Sequence, residues 1–389
     1  MIDYNDILSK RITAVKPSGI RKFFDLLDEV KDVTSLTVGQ PDFVTPWHIR
    51  EAAIDSLRSG KTYYTANSGL TPLRTSISEY MKRRFGLEYD QKSEILVTVG
   101  GSEAIDIAIR SIVDEGDEVI IPVPSFVCYG PIVSISGGIP VYLPMTAEDG
   151  FKLTAEKLKK AITPKTKMIV LPFPNNPTGS ILEKGELEEI ADVIRDTNII
   201  VLSDEIYAEL TYGKKHTSIA SIDGMRERTI IASGFSKAFA MTGWRLGYTL
   251  APPEITSQMF KVHQYAIMCA PTTSQFAGVE AVTNGDDDIE YMKAEYNKRR
   301  LFITHGLKDI GLEVFEPEGA FYVFPKIGNF GMTSEEFCTR LLYEHSVAIV
   351  PGTAFGECGE GYARISYAYS VKHIQTALEK IENFVKLIK

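Results

Sequence analysis

The sequence predicts an α/β protein: a mainly parallel sheet between two layers of helices, followed by a smaller α+β part. Two observations predict it. From Glu94 to Ala251, short apolar runs alternate with helical patterns, as expected for parallel strands buried on both faces. Beyond Pro253 the alternation stops, and a helical stretch gives way to short strands and further helices. The chain has 389 residues, 44% hydrophobic and 24% charged, the balance of a globular protein large enough for two domains.

The elements follow in order. Ile20 to Val30 carries a helical pattern, and Val38-Gly-Gln-Pro-Asp-Phe43 reads as a loop from its glycine and proline. Helical periodicity runs from Pro46 to Leu57 and from Thr71 to Phe85, with the polar, aromatic loop Lys61–Gly69 between them. Strands are predicted at 95–99, 118–122, 140–144, 167–171 and 198–203, and in the apolar runs 229–232 and 246–251. Helices are predicted at 104–113 and 186–195, after the turn Gly100-Gly-Ser-Glu103 and the segment Pro174-Asn-Asn-Pro-Thr-Gly179 respectively. One long helical region spans 253 to about 307, with a break at Asn284-Gly-Asp-Asp-Asp288. Strands at 313–315, 320–324, 347–350 and 362–367 and helices at 333–345 and 371–389 complete the chain. The expected division is an N-terminal segment, 1–45, packing with a small domain at 286–389, and a large domain at 46–285.

Composition excludes several classes of function. A net charge of -9 argues against nucleic acid as a partner. The four cysteines are scattered without a C-x-x-C pair, and the six histidines show no H-E-x-x-H spacing, so neither a disulfide frame nor a metal site is expected. The N-terminus lacks the apolar core of a signal peptide, and no run is long enough to span a bilayer. A cytoplasmic protein without membrane contact is expected.

The unusual residues fall at the predicted strand ends, where open α/β sheets bind ligands. Lys237 lies among small and apolar residues between two apolar runs, with Arg245 eight positions later. A buried amine tends to neutrality, which makes it a nucleophile able to form Schiff bases. A surface lysine is the plainer reading of this stretch alone. Asp204 closes an apolar run and needs a cation or a donor. It suits a protonated heterocyclic nitrogen, or simply a helix cap. Tyr207, three residues on, is either packing or a hydroxyl aimed at the same cleft. Asn176 precedes Pro177, which holds its backbone extended. Gly100-Gly-Ser102 opens a helix and could cradle a phosphate. It matches neither the nucleotide P-loop nor the dinucleotide fingerprint. Arg364, in an alternating strand, is either a surface charge or a bidentate carboxylate clamp.

Taken together, Tyr64-x-x-x-x-Gly69, Gly100-Gly-Ser102, Asn175-Asn-Pro-Thr-Gly179, Ser203-Asp-Glu-Ile-Tyr207, Ser236-Lys237 with Arg245, and Tyr362-Ala-Arg-Ile-Ser-Tyr367 resemble the class I and II aminotransferases of pyridoxal-phosphate fold type I. The resemblance covers essentially the whole chain. It implies a seven-stranded sheet, pyridoxal 5'-phosphate as cofactor, and transamination between an L-amino acid and a 2-oxo acid, with 2-oxoglutarate as acceptor. It implies that Lys237 is the Schiff-base lysine and proton carrier, and that Asp204 faces the pyridine nitrogen. Asn176 and Tyr207 would bond the cofactor's phenolic oxygen. Gly101, Ser102, Ser236 and Arg245 would hold the phosphate, and Phe126 would stack on the ring. Tyr64 would reach the phosphate of a neighbouring subunit, in a homodimer with shared sites. Gly39 and Arg364 would bind the substrate α-carboxylate. One departure stands out: where many relatives carry serine or threonine three residues before the lysine, this chain has Gly234.

In detail the chain is similar to bacterial N-acetyl-L,L-diaminopimelate aminotransferases and to archaeal aromatic aminotransferases. The former would place it in lysine biosynthesis. Arg21 is a candidate for a distal anionic group of the substrate, or a first-turn helix charge. Alternatives are an aromatic or aspartate aminotransferase, or a β-lyase on the same scaffold. A non-catalytic regulator module would carry an N-terminal helix-turn-helix, and the chain instead begins with the aminotransferase-like N-terminal segment.

Overall fold

The computed structural model describes residues 2–17, 19 and 30–389. The helical pattern expected from Ile20 and the candidate Arg21 lie outside the described residues.

A seven-stranded sheet forms the large layer. Its strands are β2 (Ile95–Thr98), β3 (Glu118–Val123), β4 (Ile139–Pro144), β5 (Thr166–Leu171), β6 (Ile200–Asp204), β7 (Thr229–Gly234) and β8 (Gly247–Leu250), numbered after the N-terminal β1 (Thr34–Ser35). The order is β2-β8-β7-β6-β5-β3-β4. Every neighbouring pair is parallel except the two that β8 makes, with β2 and with β7. The apolar runs are continuous because both faces are covered. Val119 and Ile121 of β3 point into one core, with Met168, Leu202 and Ile230. Ile120 between them enters the opposite core, with Ile169 and Val201. Helix Gly100–Ile112 covers the first face; Thr71–Phe85 and Thr272–Asn284 pack on the β2 and β8 end of the other.

The C-terminal part is built from pairs of very short strands. β9 (Glu313–Val314) pairs with β11 (Pro325–Lys326), and β10 (Tyr322–Val323), β14 (Ala363–Ser366) and β13 (Val350–Pro351) form an antiparallel trio. β12 (Val347–Ala348) pairs in parallel with β1. Helices Asp286–Asp309, Ser334–His345 and Val371–Ile388 enclose this core. The same core takes in Tyr207, Leu210 and Tyr212, which follow β6. The C-terminal part is therefore packed directly against the carboxyl ends of the large sheet.

Four expectations need correction. The Gly100–Glu103 stretch is not a turn before the helix: it is the helix's first turn, since glycine at Gly100, with φ 74°, can enter it from a left-handed backbone. The single strand expected at 347–350 is two strands in different sheets, split at Ile349. The long helical region breaks twice. Gly285 separates two helices as expected, but the chain also leaves the helix after Ala266 and turns through Met268 at φ 75°. A non-glycine residue in that region gives no sequence signal. The fourth is smaller: the strand at 320–324 shrinks to β10. Among the described residues no helix is long and apolar enough to cross a membrane.

Candidate active site

A cavity of about 400 Å³ opens at the carboxyl ends of β2, β6 and β7, against the C-terminal part. Lys237, Asp204, Tyr207, Asn176, Gly101, Ser102, Phe126, Ser236, Arg245, Gly39 and Arg364 all line it. These residues lie as far apart as 39 and 364 in the sequence, and the fold brings them to one space. Tyr64 does not line the cavity. Its side chain is 78% exposed, on the loop before helix Thr71–Phe85.

Asp204 is the last residue of β6 and is buried. One carboxylate oxygen accepts the hydroxyl proton of Tyr129 at 2.6 Å, and the other accepts the Ile206 N–H at 3.2 Å. Burial pushes its pKa up; the Tyr129 and Ile206 bonds and the charge of Lys237 oppose the rise. Among the described residues no lysine or arginine is bonded to it. Such a carboxylate lacks a cationic partner and would gain one from a protonated ring nitrogen. The adjacent Glu205 points elsewhere: Ser203, Ser218 and His216 satisfy it on the far side.

Lys237 follows β7 on a loop, and its Nζ donates to the Gly39 carbonyl. Desolvation lowers its pKa to about 8, the charges of Arg364 and Arg245 push the same way, and Asp204 opposes them. The amine is thus partly neutral near physiological pH, the state a nucleophile needs.

Arg364 is buried on β14. Its guanidinium lies between two aromatic rings, 4.6 Å from the Tyr322 centroid and 4.7 Å from that of Phe355. Nη1 donates to Asn176 Oδ1 at 2.9 Å and Nη2 to the Thr37 carbonyl at 2.6 Å, while Nε has no partner among the described residues. Of its two sequence readings, the surface charge is wrong. The strand alternates in sequence, but both of its faces are covered.

The phosphate candidates sit together. Helix Gly100–Ile112 starts without a side-chain cap among the described residues, which leaves N–H groups of its first turn available to an anion. Arg245, in the left-handed region at φ 50°, bonds the Thr242 carbonyl at 3.1 Å and no other group among the described residues. Gly234 has a packing explanation. A Cβ there would come within 2.9 Å of the Leu246 carbonyl oxygen and 3.0 Å of the Gly247 Cα. No serine or threonine could stand in that strand pair without moving β8. Two further residues escaped the sequence reading. Tyr129 bonds Asp204, and Tyr322 bonds Tyr207. Each is one of 18 tyrosines and stands in no recognised motif. A partial signal for Tyr129 existed, since it begins the helix that opens at the carboxyl end of β3.

The model of the aminotransferase class I and II family matches residues 31–381. The chain belongs to the class I and II aminotransferases. YugH of Bacillus subtilis, assigned to the aminotransferases without a named substrate, is 54% identical over 97% of this chain and 98% of its own length. A second B. subtilis relative, provisionally named N-acetyl-LL-diaminopimelate aminotransferase, is 46% identical over 97% of this chain and 96% of its own. Among solved structures, the aromatic aminotransferase of Pyrococcus horikoshii superposes with a TM-score of 0.90 at 44% identity, covering 94% of this chain and 99% of that one. The aminotransferase is a pyridoxal-phosphate-dependent enzyme acting on amino and 2-oxo acids. Its own residues fit that cofactor: a buried carboxylate without a cation, a depressed lysine amine, an uncapped helix start, and an arginine with an unpartnered Nε.

Proposed function

We propose that the aminotransferase moves the amino group of an L-amino acid to 2-oxoglutarate, and that N-acetyl-L,L-diaminopimelate is its amino-acid substrate. The observation that carries the transamination reading is the pairing, in one cavity, of a lysine amine lowered to about pKa 8 with a buried, ring-clamped arginine. The 46% identical relative supports the choice of substrate.

Each residue has a definite task. Lys237, Asp204, Tyr207, Asn176 and Phe126 would hold the cofactor ring, and Gly101, Ser102, Ser236 and Arg245 its phosphate. When bound, the cofactor supplies an aldehyde for Lys237 and a protonated ring that withdraws electrons. Asp204 would face the ring nitrogen, where its carboxylate would favour the protonated form. Arg364 grips the substrate α-carboxylate, with its unpartnered Nε turned to use, and Gly39 closes over the same group. Fixing the carboxylate orients the Cα–H bond. Lys237 Nζ, once the incoming amino group has released it from the aldehyde, would be the base that carries the Cα proton. The surrounding apolar walls, Ile105 and Phe126 among them, exclude water.

The same reading makes the enzyme a cytoplasmic homodimer with shared sites. Tyr64, exposed in the single chain, would reach the partner's phosphate. It also keeps 1–45 and 286–389 as one unit and 46–285 as another. Arg21 is the candidate for the distal anion of the substrate. A second reading is supported by Phe126, Tyr129 and Tyr322 around the cavity and by the P. horikoshii relative: an aromatic amino donor.

Purified enzyme with 2-oxoglutarate and a panel of donors decides between them. N-Acetyl-L,L-diaminopimelate should give the highest kcat/KM. Preference for phenylalanine or tyrosine would favour the aromatic reading. Pyruvate and ammonia released without any acceptor would instead indicate a β-lyase.

A further inference from the structure

Tyr322 lies against three residues of the site, Arg364, Tyr207 and Gly39. It is fully buried on β10, beside β14, and shares a sheet face with Arg364. The Arg364 guanidinium lies over its ring, 4.6 Å from centroid to Cζ. Its hydroxyl is 2.7 Å from that of Tyr207. The same hydroxyl abuts the loop that carries the Gly39 carbonyl: a Cβ on Gly39 would lie 2.2 Å from it. That carbonyl receives the Lys237 amine.

We infer that Tyr322 is a positioning residue that couples the carboxylate clamp, Arg364, to the proton-donating hydroxyl of Tyr207. The inference rests on the roles given above to Arg364, Tyr207 and Lys237. Two hydroxyls at 2.7 Å share one proton, and either could donate. If Tyr207 spends its proton on the cofactor's phenolic oxygen, Tyr322 must donate to Tyr207. A hydroxyl that accepts one hydrogen bond becomes a stronger donor in the next. Tyr322 therefore strengthens the Tyr207 bond that holds down the pKa of the cofactor-bound Lys237 nitrogen. Its ring at the same time holds the guanidinium by cation–π attraction, strong in a desolvated setting. Hydroxyl and ring thus serve two different steps: proton balance at Lys237, and substrate anchoring at Arg364.

The two functions separate by substitution. Tyr322→Phe keeps the ring and removes only the hydroxyl. With cofactor bound, its visible band should titrate about half a unit to one unit higher than wild type, the worth of one hydrogen bond. Its KM values should stay near wild type. Tyr322→Leu removes the ring as well, and KM for both the amino and the oxo acid should rise about ten-fold. In a Tyr207→Phe background, Tyr322→Phe should add no shift, because the relay has lost its middle member. An unshifted band in Tyr322→Phe overturns the inference, as does an equal shift in both backgrounds. Unchanged KM values in Tyr322→Leu overturn the clamp half. A wild-type enzyme with no titrating band dependent on Lys237 would mean instead that the underlying site assignment is wrong.

Discussion

Two desolvated cations share the cavity, and the fold gives them different surroundings. Lys237 ends β7's loop with a single carbonyl acceptor and two arginines for neighbours, and its pKa falls to about 8. Arg364 is at least as buried, yet two oxygen acceptors and two aromatic faces surround it. A guanidinium keeps its charge when desolvated, while an ammonium yields it. The proposed nucleophile and the proposed anchor both lose solvent in this cavity, and the chemistry of the head group separates them.

Replacing each cation breaks the comparison at its two ends. Lys237→Ala should lower transamination by more than about 10⁴-fold, since nucleophile and proton carrier go together. The purified protein should also lack the visible band; a retained band, without added amine, would refute the role. Arg364→Ala should raise KM about a hundred-fold for amino and oxo acid alike, from the lost charge-assisted bonds. Arg364→Lys should recover little of it, because an ammonium cannot bridge Asn176, Thr37 and the substrate in one plane. An effect on one substrate alone would show that Arg364 is not the shared clamp.

The lysine's own cost is measurable by pH. Its folded pKa, about 8, lies below the ordinary value of 10.5. The cofactor-free native state therefore binds fewer protons than the unfolded chain between those values, and stability rises with pH across that window. Below about pH 8, cofactor-free Lys237→Met should be about 1–3 kcal/mol more stable than wild type. The gap should close as the pH climbs toward 10.5. Urea melts at three pH values would read it, and a gap independent of pH would show that the amine is not desolvated. A smaller effect concerns packing beneath the lysine. Gly234→Ser, which introduces the residue type that the family resemblance implies there, should cost about 1–3 kcal/mol, because β8 must give way. Gain of cofactor affinity without loss of stability would show that the strand pair is looser than it looks.

How much was legible in the sequence varies with distance along the chain. Lys237 and Asp204 were readable because each stands at or just beyond the end of a strand, and a charge there is conspicuous against its apolar run. Gly100, Gly101 and Ser102 were readable for the same reason. Tyr129 was not, because its partner Asp204 lies 75 positions away. Tyr322 was not, with Tyr207 at a separation of 115. A tyrosine carries no local sign of which hydroxyl it will meet. The break through Met268 was hidden as well, since its left-handed backbone is imposed by packing and by no glycine.

By itself the sequence determined the α/β class, most element positions, the family motifs and the chemical character of the lysine, the aspartate and the arginine, because these are set by neighbours in the chain. Only the tertiary structure decided the environment of each. It desolvated Lys237, left Asp204 without a cation, enclosed Arg364 between Tyr322 and Phe355, and pressed Gly234 against Gly247. Burial and cross-strand distance depend on residues hundreds of positions apart, so no local pattern can state them.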